Sequence, residues 1–475
     1  MPLTLPLRLH RLATPAALAA ALLPVATATL LATSPAQAQT AVEADLARRL
    51  DLLAAEVQRL QAQLHEVQQQ QAARPAAAAQ ATAHASAHAT APASAQASAQ
   101  ASAQAPAQAT APAAAPASSS APAPTSAQPN TVLSSYGEIN YNRPRKASQN
   151  SQADLRRFVL GFQHRIDEQT RVVAELEVEH AVTSATDAGE VALEQAYVEH
   201  QITPTWALRA GLFLMPMGLL NENHEPPAFF GVERNVVETA IIPSTWREGG
   251  VQAIGQFDNG LTLQAGVSTG FNLNKWDATS SEAAEAPLRS IHQELALAKA
   301  RSLALFGALN WRAVPGLLVG AGLFSGGAGH GQTAAPARVT LWDVHARWTP
   351  GRWDLSALYS RGAISNTAAL NTRLVGSASL IPASFDGGYL QAGYAVWQQG
   401  RYKLTPFARW ERVNTARSYA DLGPGLTPAA RPGQRVATLG ANFDLAPGIV
   451  LKADVQRVQH NPDADRSSVG LGWSF

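Results

Sequence analysis

Two spacings in the sequence resemble catalytic motifs, and both lack the context that catalysis needs. Gly266-Val267-Ser268-Thr269-Gly270 matches the G-x-S-x-G motif of hydrolases. That motif works on a sharp turn between a strand and a helix, whereas this copy ends a predicted strand. His292 and Glu294 are spaced like metal ligands, but the sequence offers no third ligand beside them. We therefore predict no catalytic residue, no metal site and no cofactor.

Charged residues divide the chain into an acidic part and a basic part. From Ile166 to Gly260 fifteen acidic residues stand against four Arg, a balance of −11, and from Leu288 to Phe475 nineteen Lys and Arg stand against ten acidic residues, a balance of +9. If the chain folds around an open interior and these two parts face each other across it, the electric field between them would align dipolar solutes. The predicted acidic wall consists of Glu175, Glu177 and Glu179, and the predicted basic wall of Arg347, Arg352, Arg401, Lys403 and Arg409.

The segment 214–247 is the longest stretch between two of the predicted strands that are given below. It is the candidate constriction of such an open interior. A loop of 34 residues in a compact protein is usually functional or disordered. Apolar residues such as Val236 and Ile241 favour packing, and folding inward would narrow a lumen, although the sequence leaves open whether the loop does so. Its candidate constriction residues are Glu222, Glu225, Glu233, Arg234, Glu238 and Arg247.

The elements that must position these residues are strands. After residue 131 the sequence divides into stretches of eight to thirteen residues in which apolar and polar residues alternate, which is typical of half-buried strands. In the clearest case, Leu451, Ala453 and Val455 alternate with polar neighbours. We predict sixteen strands, at about 133–142, 154–165, 170–181, 191–202, 205–213, 248–257, 261–271, 300–311, 316–325, 338–348, 352–361, 385–397, 401–412, 434–444, 448–459 and 467–475.

The lengths of the connections predict how these strands are arranged. Every even-numbered strand is followed by a short link, such as Thr203-Pro204 or Ala446-Pro447, and every odd-numbered strand by a longer one. Tight turns at one rim and long loops at the other are typical of an outer-membrane β-barrel with periplasmic turns. The sequence therefore predicts an all-β fold, a sixteen-stranded antiparallel transmembrane barrel with both ends on the periplasmic side.

Aromatic residues support the prediction of a membrane barrel. Several lie within a few residues of a short turn, where indole and phenol rings would meet the membrane interface: Trp206, Phe257, Trp311, Trp348, Trp353, Trp397, Tyr402 and Phe443. The chain ends with an alternating apolar face whose last residue is Phe475. Such an ending resembles the signal by which the barrel insertion machinery recognises outer-membrane barrels, so Phe475 is the predicted assembly signal.

Three short motifs carry a resemblance to a known family. They are Gly211-Leu212-Phe213 through Pro216-Met217-Gly218, then Glu233-Arg234, then Arg247-Glu248-Gly249-Gly250-Val251. Together they resemble the core of the phosphate-selective porin O and P family, and the likeness spans most of 131–475. The resemblance implies sixteen-stranded trimeric barrels with the third long loop folded into each pore. Members that select phosphate use arginine ladders and a lysine-lined constriction, whereas the loop 214–247 contains no Lys.

The first 130 residues divide into three segments that cannot build a core. Residues 1–38 have a basic start, an apolar run and the cleavage pattern Ala36-Gln37-Ala38, which predicts a signal peptide. Residues 39–74 carry Leu and Val at heptad spacing and predict a periplasmic coiled coil, with two or three strands equally compatible. Residues 75–130 are rich in Ala, Pro, Ser and Gln and predict a disordered linker.

These features predict a porin: a water-filled channel for passive diffusion of small hydrophilic solutes or anions, with phosphate-type anions included. The alternative is a structural outer-membrane anchor that is tethered to the cell wall through the coiled coil. The expected partners are copies of the same chain, as a trimer, outer-membrane lipid, the barrel insertion machinery and peptidoglycan. A formal net charge of +1 argues against nucleic-acid binding, and the absence of cysteine excludes disulfides and thiol chemistry.

Overall fold

The structure is a computed structural model of the chain, and it describes residues 58–59, 130–459 and 461–475. Gln58 and Arg59 are helical. The predicted signal peptide, coiled coil and linker otherwise lie outside the described residues. The segment 130–475 is a β-barrel built from strands of mostly eight to seventeen residues.

Seventeen strands follow one another along the described chain, and sixteen of them form the barrel wall. The strands are β1 Thr131–Pro144, β2 Gln152–Arg165, β3 Thr170–Glu179, β4 Glu190–Gln201, β5 Trp206–Leu214, β6 Arg247–Gln256, β7 Leu261–Ser268, β8 Ala304–Trp311, β9 Leu317–Gly327, β10 Arg338–Trp348, β11 Trp353–Ile364, β12 Ser384–Tyr394, β13 Trp397–Gln399, β14 Tyr402–Ser418, β15 Gln434–Ala446, β16 Ile449–Val458 and β17 Arg466–Ser474. Each wall strand overlaps one of the sixteen predicted strands, which confirms that prediction.

The sheet closes on itself through its first and last strands. Strand β1 pairs with β2 on one side and with β17 on the other, for example Tyr136 with Ser474, and all pairs are antiparallel. At the C-terminus, the backbone N–H of Phe475 donates to Ser135 O at 2.9 Å, and Phe475 O accepts from the N–H of Ser135 at 3.0 Å. Closure removes the unpaired edges that an open sheet would expose.

One predicted strand is interrupted. The segment predicted at 385–397 ends as β12 at Tyr394, and Trp397–Gln399 form β13, which pairs only with β14. Between them the chain changes hydrogen-bond partners, because the N–H of Ala395 donates to Arg352 O while that of Val396 donates to Leu404 O. Strand β13 is therefore a short extension of the hairpin and not an additional wall strand.

Tight turns lie at one rim and long connections at the other, as predicted from the connection lengths. Several tight turns carry a glycine with positive φ, including Gly260 at 79° and Gly448 at 77°. At Gly448 a Cβ atom would also lie 2.0 Å from Ser474 O, so both conformation and space favour glycine there. We call these ends of the barrel the turn rim and the loop rim.

Alternation along the strands separates an apolar outer face from a polar inner face. In β16, Ile449, Leu451 and Val455 are exposed on the outside, whereas Lys452 and Asp454 are buried on the inside. Aromatic rings cluster outside the turn rim, where Trp353 contacts Tyr394 with ring centroids 4.8 Å apart. An exposed apolar wall with an aromatic girdle is what a barrel in lipid requires.

Helices within 130–475 are short and lie in the connections between strands. They are α1 Val237–Ala240, α2 Ser281–Glu285 and α3 Thr367–Asn371, with 3₁₀ turns at Ser148–Asn150, Pro226–Ala228, Leu273–Lys275, Arg289–Ile291 and Pro462–Ala464. Within the part of the chain that the structure describes, no helix has the length and apolar character to cross a membrane.

An apolar core occupies one side of the barrel interior. Three long connections, 215–246, 269–303 and 365–383, contribute buried residues that pack on the inner faces of β8–β12. Its centre is an aromatic cluster in which Trp246 lies 4.9 Å from Phe271 and 4.8 Å from Phe324 between ring centroids. The packing holds the loops against one wall and leaves polar space beside the other.

Candidate solute passage in the barrel interior

The loop 214–247 crosses the interior of the barrel and is fixed to strands far away in sequence. The N–H of Val232 donates to Asp454 in β16 at 2.7 Å, and the N–H of Val236 donates to Glu411 in β14 at 2.6 Å. Such bonds satisfy backbone donors that would otherwise be buried without partners. The loop is therefore part of the interior wall and is not a free surface loop.

Glu238 holds the shape of this loop. One carboxylate oxygen accepts from the N–H groups of Leu219 at 2.6 Å and Leu220 at 2.8 Å, and the other accepts from Tyr389 Oη at 2.9 Å and Asn235 Nδ2 at 2.8 Å. Burial raises the pKa of Glu238, and these hydrogen bonds act in the opposite direction. The carboxylate thus ties two parts of the loop to each other and to β12.

The other acidic residues of the loop occupy three different environments. Glu233 accepts from Asn140 at 3.2 Å and Asn142 at 2.9 Å, both in β1. Burial alone would raise the pKa of Glu233, but Arg466 and Asn142 lower it below its usual value. Glu222 is exposed and accepts from Gln264 Nε2 at 2.9 Å, and Glu225 is half-buried at the start of the 3₁₀ turn.

The two arginines of the loop differ in their partners. Arg234 is buried, and its guanidinium donates to Ser244 Oγ, to Thr245 Oγ1 at 2.8 Å and to His224 O at 3.2 Å, so its partners are uncharged. Burial lowers the pKa of Arg234, and the nearby Arg157 lowers it further. Arg247, at the start of β6, pairs with Glu294 at 2.9 Å. The Nε atoms of both arginines lack a hydrogen-bond partner among the described residues.

The predicted acidic wall lies on the inner face of β3, and one arginine, Arg157, pairs with two of its three glutamates. Arg157 Nη1 contacts Glu177 at 2.9 Å, its Nε contacts Glu138 at 3.1 Å, and its Nη2 contacts Glu179 at 3.7 Å. Glu175, nearer the turn rim, accepts from Gln195 at 2.7 Å. Three carboxylates share one guanidinium, so this wall retains negative charge.

A polar cavity of about 490 Å³ lies between the acidic wall and the loop. Its charged lining contains six Glu and six Arg, so oppositely charged groups are close together around water-accessible space. His292 also lines it, and burial together with Lys275 lowers the pKa of His292 to about 3, which leaves its ring uncharged at neutral pH. The charged residues are Glu138, Arg156, Arg157, Glu177, Glu179, Glu190, Glu233, Arg234, Arg247, Arg289, Glu294 and Arg466.

The residues of the predicted basic wall lie elsewhere. Arg347 pairs with Asp354 at 2.7 Å and donates to Ala228 O, Arg409 pairs with Glu411 at 2.9 Å and donates to Phe230 O, and Lys403 pairs with Asp444 at 2.8 Å. These three line a smaller cavity of about 100 Å³ on the other side of the loop. Arg352 and Arg401 are exposed in tight turns. The structure therefore separates the two predicted walls, because the loop lies between them.

Two groups of buried residues were not predicted from the sequence. Tyr136 Oη in β1 donates to the Glu194 carboxylate in β4 and lies 2.7 Å from His224 Nε2 in the loop. This group of residues therefore connects the loop to β1 and β4. Lys452 Nζ lies 3.4 Å from the ring centre of Phe229, a cation–π contact beneath the loop. Alternation places Lys452 on the inner face, but no local pattern identifies its aromatic partner.

Comparison with known proteins agrees with this geometry. No family model matches the sequence. A relative from Aquifex aeolicus (strain VF5), described as an uncharacterized protein, is 27% identical over 354 residues, 72% of this chain and 79% of the relative. The structure of Salmonella typhi OmpF in complex with daunomycin aligns with a TM-score of 0.51 and 13% identity over 73% of this chain and 97% of that chain.

The chain has the barrel fold of sixteen-stranded outer-membrane porins. An anion-selective porin from Comamonas acidovorans aligns with a TM-score of 0.45 and 12% identity over 73% of this chain and 99% of that chain. Inside this barrel, the polar space between the loop and the wall is the candidate functional site.

Proposed function

We propose that this chain is an outer-membrane porin that lets small hydrophilic solutes and anions diffuse passively through its lumen. The observation that carries the proposal is the combination of an apolar outer wall with a charged interior cavity of about 490 Å³. A barrel that served only as an anchor would gain nothing from buried charges around open space, since burying charged groups is costly.

The constriction in this proposal is formed by the loop 214–247 together with the inner faces of β1–β4. Arg234 and Arg247 lie on the loop side of the cavity, and Glu177 and Glu179 lie on the wall side. Fixed charges at a narrow point alter the potential that a passing ion experiences. Glu222, Glu225, Glu233 and Glu238 contribute through the position and charge of the loop.

We propose further that the channel passes anions, including phosphate, and that the chain is a member of the phosphate-selective porin O and P family. Arg234 supports anion passage, because its guanidinium has only uncharged hydrogen-bond partners within the described residues. A guanidinium that is not already engaged by a carboxylate can bind a phosphate oxygen. The family motifs in 211–251 support it as well.

The proposed location is the bacterial outer membrane, with the turn rim and the N-terminal segments in the periplasm. The proposed assembly is a trimer, to which the heptad segment 39–74 contributes. Phe475 supports recognition by the insertion machinery, because its side chain is 79% exposed beside the seam between β1 and β17. Peptidoglycan is a proposed partner of the periplasmic segments.

Reconstitution in a planar bilayer tests the function. The purified full chain should give discrete conductance steps, and the reversal potential in a salt gradient should report a weak anion preference. Liposomes that contain the protein should swell in small sugars and not in large dextrans. Absence of both conductance and swelling in a folded, heat-modifiable barrel would favour the structural anchor.

A further inference from the structure

A basic pocket lies on the outside of the barrel at the loop rim. It has a volume of about 590 Å³ and is lined by Arg301, Arg338 and hydroxyl or amide groups, without any acidic residue. Arg338 belongs to the outward face of β10, as do Trp342 and Val344, whose side chains are exposed. The pocket therefore opens beside the lipid-facing wall and not into the lumen.

Among the residues that the structure describes, neither arginine of the pocket is paired with a carboxylate. The guanidinium of Arg338 donates to Ser325 Oγ at 3.2 Å, and that of Arg301 covers Gly331, where an added Cβ would lie 2.5 Å from Arg301 Nη1. Within 130–459 and 461–475, no acidic side chain lies within 4 Å of either guanidinium. Two guanidinium groups beside Ser302, Thr333 and Ser365 are suited to a phosphate group, which accepts several hydrogen bonds.

An apolar groove of about 690 Å³ continues from this pocket towards the turn rim, over β7, β8 and β9. Leu305 and Leu323 form its sides, with exposures of 66% and 51%, and Gly307 leaves space at its base. A Cβ atom added at Gly307 would meet only Gln264 O, at 3.4 Å. Ser325 belongs to the groove and accepts the hydrogen bond from Arg338, so the groove and the basic pocket are contiguous.

We propose that the outer wall over β7–β10 binds one phosphorylated lipid of the leaflet at the loop rim. Arg301 and Arg338 hold its phosphate, and an acyl chain fills the groove beside Gly307. Charge complementarity favours a phosphorylated lipid over an uncharged one, which would leave two guanidinium groups without a counter-charge. The apolar groove favours a lipid over free phosphate, which would leave the groove empty. The inference rests on the barrel lying in a membrane and is independent of what passes through the lumen.

The test measures binding of dioleoyl phosphatidic acid to the delipidated full chain in detergent by native mass spectrometry. Dioleoylglycerol, which has the acyl chains but no phosphate, and inorganic phosphate, which has no acyl chain, serve as separate probes. The wild type should bind one phosphatidic acid, and Arg301→Gln with Arg338→Gln should weaken binding about tenfold or more. Gly307→Leu should weaken it by filling the groove, while Arg301→Lys with Arg338→Lys should retain most of it.

Arg412→Gln with Arg435→Gln is the matched control. These arginines are exposed, directly opposite each other on β14 and β15, and outward-facing near the loop rim. Unchanged binding in this control supports the proposal. Equal weakening by both double variants, equal binding of dioleoylglycerol, displacement by equimolar inorganic phosphate, or unaltered affinity in Gly307→Leu would each overturn it. Conductance measured on the same preparations shows separately whether the porin proposal fails.

Discussion

Arg157 gives the sharpest prediction, because it combines a structural role with a contribution to lumen charge. It is only 7% exposed and contacts three glutamates at 2.9, 3.1 and 3.7 Å. For two unit charges about 3 Å apart at an effective dielectric constant of about 20, the Coulomb attraction is on the order of 5 kcal/mol. The cost of desolvating the two groups is subtracted from this figure. Removal of one partner from a buried ion pair costs about 3–5 kcal/mol. Arg157→Gln should therefore lower the free energy of unfolding by about that amount.

Arg156 provides the matched control. Its side chain lines the same cavity and makes no ion pair within 4 Å among the residues that the structure describes. Either substitution changes the charged lining from six Glu and six Arg to six Glu and five Arg. Both variants should therefore move the reversal potential towards cations to a similar extent, whereas only Arg157→Gln should destabilise the barrel.

Urea unfolding in lipid vesicles, followed by tryptophan fluorescence, measures stability, and a salt gradient across a planar bilayer measures selectivity. Arg157→Gln with Glu177→Gln should recover part of the lost stability, because one uncompensated carboxylate is removed. Equal unfolding midpoints for Arg156→Gln and Arg157→Gln would refute the reasoning. Unchanged selectivity in both variants would show that the cavity is not on the conducting path.

Three further predictions concern the loop and the C-terminus. Glu238→Ala removes the acceptor for the N–H groups of Leu219 and Leu220, and each N–H left unpaired costs about 1–3 kcal/mol. The loop should therefore become less rigid and the open-channel current noise should rise. Glu238→Gln, which keeps an acceptor oxygen, should show a smaller effect. Burial alone would lower the pKa of His224, but Glu194 raises it above its usual value, so the stabilisation from His224 should be complete below about pH 6.5 and be lost as the pH rises through the folded-state pKa. Noise should accordingly increase on the alkaline side, and a His224→Gln channel that kept this pH dependence would contradict the assignment. Deletion of Phe475 should reduce the amount of heat-modifiable barrel in the outer membrane more than deletion of a residue in 75–130, and equal yields would argue against its role in assembly.

The strands were predictable because their signal is local. Alternation in β16 shows directly which residues face outward, and the glycines at 260 and 448 occupy turns that need positive φ. Pairing of each strand with its neighbour then follows from the short turns. The break before β13 was not predictable, because it depends on hydrogen bonds from Ala395 and Val396 to two different strands.

The interior was predictable only in part, because its contacts join distant parts of the chain. The bond from Val232 to Asp454 spans 222 residues, and nothing near Val232 indicates it. Alternation along a strand indicates which residues share a face, and the ring order indicates which strands lie opposite each other. Neither pattern can show that a loop lies between Glu177 and Arg409. Exposed positions in turns, such as Arg352 and Arg401, carry the same charge as lumen residues and cannot be distinguished from them by charge counting.

The absence of cysteine from the chain permits a direct test of the proposed passage. Glu179→Cys places a thiol in the lining of the cavity, and Leu439→Cys places one on the outer wall, where Leu439 is 60% exposed. A charged methanethiosulfonate reagent added during single-channel recording should change the conductance of Glu179→Cys in discrete steps and leave Leu439→Cys and the wild type unaffected. A Glu179→Cys channel whose conductance stays constant after complete modification, confirmed by mass, would contradict the account of the passage.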